Sequence, residues 1–87
     1  MKPHPYFEKL GFSAEQIQAA RNSYAMMFRE FANSINSGKI KVSEPEIYIS
    51  SNLSFAKDIE AGECDGLPLV RLRMNYYLTG KREALLP

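Results

Sequence analysis

Ser13 and Gln16 stand three residues apart at the head of a long apolar-periodic run, with Phe12 just before them and Ile17 just after. A serine that accepts from the third helical amide, answered by a glutamine that reaches back to the serine amide, is a capping box, and Phe12 with Ile17 has the spacing of a hydrophobic staple. Both features start a helix at Ala14. The three- and four-residue period continues to Ser37, and Gly38 is the natural left-handed stop. The spacing therefore predicts about 23 helical residues and a rod of ~34 Å. A folded chain of 87 residues has a radius of gyration near ~12 Å, so this helix must cross the whole molecule and everything else must pack against it.

Ile17, Ala20, Tyr24, Met27, Phe28, Phe31 and Ile35 share one stripe of that helix and are expected to face the core. Ala19 and Met26, seven residues apart, fall about opposite; a small and a flexible side chain there suit contact with another chain, which makes them a candidate helix interface. Ahead of the helix, residues 5–11 read as one short helical turn with proline at its start and glycine after its end.

Beyond Gly38 the period changes. Ile40 with Val42, and Ile47 with Ile49, alternate with polar residues as in short strands, and Pro45, lacking an amide donor, belongs at a sheet edge or a break. Residues 54–62 fit a short helix between Ser54 and Gly62, although Phe55 and Ile59 make a thin apolar face, so helix or strand stays open there. From Leu69 to Thr79, Val70, Leu72, Met74, Tyr76 and Leu78 alternate with Arg71, Arg73, Asn75, Tyr77 and Thr79. A helical reading through Leu69, Leu72 and Tyr76 competes, but five period-two matches favour a strand. The expected architecture is α+β: one long helix packed across a small, mainly antiparallel sheet, with residues 1–87 forming a single domain.

Few side chains suit catalysis or metal binding. One cysteine excludes a disulfide framework, and one cysteine with one histidine is too few for a four-ligand zinc site. His4 lies between two prolines near a terminus, a poor place to hold an acid–base group against a substrate. Cys64 sits between Glu63 and Asp65, whose charge opposes thiolate formation. The acidic run Asp58, Glu60, Glu63 and Asp65 lacks the spacing of a calcium loop, and no phosphate-binding, dinucleotide or nucleophile-elbow motif occurs. The chain is therefore expected to be non-enzymatic, without cofactor or metal. No apolar signal region opens it and no apolar run approaches the ~20 residues that cross a bilayer, so no membrane association and a cytoplasmic location are expected.

The net charge of +1 hides segregation: residues 1–42, 43–66 and 67–87 carry +3, −5 and +3. On a strand, Arg71, Arg73, Asn75 and Tyr77 would share one face and, with Lys81 and Arg82, offer phosphates two guanidinium groups and a base one ring to stack on. Alternatively, Arg71 and Arg73 would pair across strands with Glu44 and Glu46. With no catalytic constellation, surfaces are the main functional asset. The sequence points first to a small regulatory or inhibitory protein that acts through protein–protein contacts as a homodimer, and second to a nucleic-acid-binding regulator of DNA or RNA.

Overall fold

The structure, a computed structural model, describes residues 5–81. It consists of α1 (Pro5–Lys9), α2 (Ala14–Asn36), α3 (Pro45–Glu60) and α4 (Pro68–Thr79), with no strand among the described residues. The α+β expectation is therefore wrong, although its long helix is right. Ser13 caps α2 as the spacing requires: its amide donates to Gln16 Oε1 at 2.8 Å, and the Gln16 amide donates to Ser13 Oγ at 3.1 Å.

Both misread segments become helix for identifiable reasons. Pro45 and Pro68 each lie in a first helical turn, where a fixed φ is an advantage and the missing N–H would have had no partner. Gly62 and Gly80 then close α3 and α4 at φ +82° and +78°, a region that disfavours any side chain with a Cβ. At Gly62 the stop is a full Schellman motif: Glu63 N donates to Asp58 O at 3.0 Å and Gly62 N to Ile59 O at 3.0 Å. The alternation along α4 arises because that helix has two apolar sides. Val70, Met74 and Leu78 lie on one, Leu69, Leu72 and Tyr76 on the other. Its leucines, arginines and methionine are also good helix formers.

α2 and α3 form an antiparallel hairpin joined by residues 37–44: Gln18, near the start of α2, donates to Glu60 O at the end of α3 at 2.8 Å, and Phe28 meets Phe55 edge-on at 4.9 Å. Ala25, Ala32 and Ala56 are fully covered on the facing sides, and such small side chains allow the two helix axes a close approach. The buried line on α2 is Ile17, Ala20, Arg21, Tyr24, Ala25, Ala32 and Ile35. Met27 and Phe31, expected in the core, are instead 39% exposed each. The core is thus rotated round α2 toward α3, with Arg21 inside it.

α4 lies against the N-terminal half of α2, where Tyr77 and Leu78 stand over Gln16, Ala19, Ala20 and Ser23. α1 plugs the adjoining end with Phe7, which is wholly buried and in edge contact with Tyr6.

Candidate functional site

The residues singled out from the sequence do not form one face. On a helix, successive residues turn by 100°, and the strand face is dispersed accordingly. Arg71 turns inward, donating from Nε to Asp65 O at 3.1 Å with its guanidinium carbon 4.5 Å from the Tyr6 ring centre. Asn75 is fully buried; its Nδ2 donates to Tyr6 Oη at 3.2 Å, and its Oδ1 finds no hydrogen-bond partner among the described residues. Tyr77 is partly covered by α2. Arg73 and Lys81 remain exposed, and Arg82 lies outside the described residues. The basic and aromatic strand face is therefore not formed, and neither are the ion pairs expected between Arg71 or Arg73 and Glu44 or Glu46.

The acidic middle of the chain is answered from α2. Arg21 binds Asp65 in a buried pair, and Arg29 binds Glu60 nearer the surface, so two of the six acidic residues of the middle segment are paired with α2. The Glu60 hydrogen bond holds the Arg29 pKa above its ordinary value. Of the proposed helix interface, both residues are exposed, but Ala19 borders the shallow hollow beneath Tyr77 and Leu78 while Met26 stands clear of α4.

A different surface emerges from the fold. Because α4 is about half the length of α2, the side of α2 that it covers runs on beyond Tyr24 with no helix over it among the described residues. Met27 and Phe31 occupy that extension. Across the hairpin, Tyr48 lies two turns from Phe55 on the same side of α3, next to Ile47, and the two are 47% and 58% exposed. At the other end the apolar extension runs into a groove of about 570 Å³ walled by Tyr24, Leu69, Leu72, Arg73 and Tyr76. Leu69 is 74% exposed, against 49% for Leu67 and 38% for Leu53. Burial pushes the Tyr24 hydroxyl above its ordinary pKa, against a smaller downward pull from Arg73.

The sequence reading missed Met27 and Phe31 as surface because their spacing continues the core stripe. The signal for the groove was present in the competing helical reading of Leu69, Leu72 and Tyr76.

Chemically, the surface is apolar with one cation, Arg73, on its wall. No cluster of three His, Cys, Asp or Glu side chains able to hold a metal exists among the described residues. Cys64 is buried, and burial, reinforced by Asp58, Asp65 and Glu63, raises its thiol pKa. No helix among the described residues is long and apolar enough to cross a membrane. No protein-family model, curated protein or solved structure matches the chain.

Proposed function

We propose that the protein is a small non-catalytic regulator or inhibitor that acts through protein–protein contacts made by this apolar surface. The observation that carries the reading is the second apolar side of α4. A helix that is apolar on both sides is at home only when both are covered. Here Val70 and Met74 face the core while Leu69, which shares a groove with Tyr24, stands in solvent. Large apolar patches of this kind mark contact sites on soluble proteins. A nucleic-acid reading has less to rest on, since Arg71 and Asn75 turn inward and leave Arg73, Tyr77 and Lys81 as the exposed members of that set among the described residues, with Tyr77 set against α2.

The test is affinity capture by the tagged protein in a lysate of cells that make it, with and without nuclease, using the unmodified chain, Leu69→Glu and Phe31→Glu. Protein that binds, a second copy of the chain included, is expected to survive nuclease and to be lost with either substitution. Capture that nuclease abolishes and the substitutions spare contradicts the proposal.

A further inference from the structure

Resting on that contact surface, we infer that its occupant is a second copy of this chain, with α4 of each copy lying along the uncovered half of α2 in the other. The two parts match in length. α4 has 12 residues, and α2 continues for residues 25–36 past Tyr24, so each spans ~18 Å. They match in chemistry as well: the outer stripe of α4 offers Leu69, Leu72 and Tyr76, and the open half of α2 offers Met27 and Phe31.

Charge supports the same pairing. Arg73 lies within the α4 stripe, and Glu30 flanks Met27 and Phe31 on α2. Both are exposed, and neither forms an ion pair among the described residues, whose pairs are Arg21–Asp65 and Arg29–Glu60. A two-fold axis that sets α4 of one copy on α2 of the other makes the reverse contact at the same time, because an isologous interface repeats every pairing. Arg73 of each copy then meets Glu30 of the other. The step left by a short α4 on a long hairpin is filled by the partner's α4.

The area is that of a weak contact. Each copy contributes two strips of ~18 Å by ~10 Å, roughly 700 Å² over both copies before side-chain relief, which puts the pair at the low end of specific interfaces and makes it reversible rather than permanent.

The experiment is sedimentation equilibrium of the full chain over a wide concentration series, on the unmodified protein, Leu69→Glu, Ser50→Glu, Arg73→Glu, Glu30→Arg and the Arg73→Glu/Glu30→Arg double variant. Circular dichroism checks that each is folded, which Leu69 and Ser50, on the outer side of α3, permit because both are exposed. The mass should rise from 9.9 kDa toward twice that value. Leu69→Glu should weaken association by about 10-fold or more, and Ser50→Glu should leave it unchanged. Each single charge reversal should weaken it ~3- to 10-fold, with the double variant returning to within ~3-fold of the unmodified chain. A single mass of 9.9 kDa at every concentration overturns the inference, as does a dimer indifferent to Leu69→Glu or charge reversals that fail to compensate. If the chain stays monomeric while Leu69→Glu abolishes nuclease-resistant capture of a different protein, the occupant is that protein: the second copy is excluded and the contact surface stands.

Discussion

Arg21 and Asp65 grip each other through three hydrogen bonds, Nε to Oδ1 at 3.1 Å and to Oδ2 at 3.2 Å, and Nη2 to Oδ2 at 2.5 Å, with both residues 1% exposed. The pair ties the first half of α2 to the loop between α3 and α4. Gln18 extends it, accepting from Arg21 Nη1 at 3.1 Å while donating to Glu60 O, and Arg71 donates to the Asp65 carbonyl. Asp65 thus joins its loop to α2 and α4 directly, and Gln18 links the same network to the end of α3.

Breaking this pair should be costly in an asymmetric way. Asp65→Ala strands a buried guanidinium and should lower unfolding free energy by ~3 to 5 kcal/mol, as should Arg21→Ala. Replacing both together with apolar residues of similar volume, Arg21→Met with Asp65→Leu, should cost less than either single change. Urea denaturation of the three variants checks the order.

The aromatic residues should separate by burial rather than by spacing. Phe7 is fully enclosed, so Phe7→Ala should cost ~3 to 5 kcal/mol. Phe31 shares the periodicity of the core but not its burial, and Phe31→Ala should stay within ~1 kcal/mol. Equal losses in chemical denaturation would return Phe31 to the core.

Ser13→Ala removes one half of the capping box and should cost ~1 kcal/mol. The loss should be read as a lower melting temperature with unchanged helical content at 25 °C.

Alkaline pH should destabilise the fold. Burial raises Cys64 above its ordinary 9.0 and Tyr24 above its ordinary 10.0, so between the unfolded and folded pKa values the unfolded chain has lost protons that the folded chain keeps. Stability then falls as pH rises through that window, and is fully present only well below 9. The melting temperature should drop from pH 8.5 upward more steeply in the unmodified chain than in Cys64→Ala compared at the same pH values. Alkylation of Cys64 at pH 8 should also be slow until denaturant is added.

The features legible in the sequence were those written in local chemistry. The Ser13–Gln16 box, the glycine after α2 and the Pro5 start of α1 each act on their own few residues, and each stands where the spacing placed it. What misled was an apolar pattern serving two purposes. In α4, Val70, Met74 and Leu78 face the core and Leu72 and Tyr76 face outward, which together read as the alternation of a strand. Pro45, lacking an amide donor, fits a sheet edge and a first helical turn equally, and tertiary contacts such as that of Phe55 with Phe28 on α2 decide between the two. Site residues were harder still. Arg71 and Asn75 were legible as polar, but their inward turn depends on Tyr6, nearly seventy residues away in the chain.

The central claim is that the side of the molecule bearing Met27, Phe31 and Leu69 is its contact surface, and adjacent methionines report on it directly. Met26 and Met27 lie 100° apart round α2, 53% and 39% exposed, while Met74 is sealed in the core. With ¹³C-methyl methionine, NMR spectra recorded on dilution should show the Met27 resonance shifting most while that of Met74 holds still. A Met27 resonance that stays fixed while Met26 moves would contradict the account, because it would put the contact on a different side of α2.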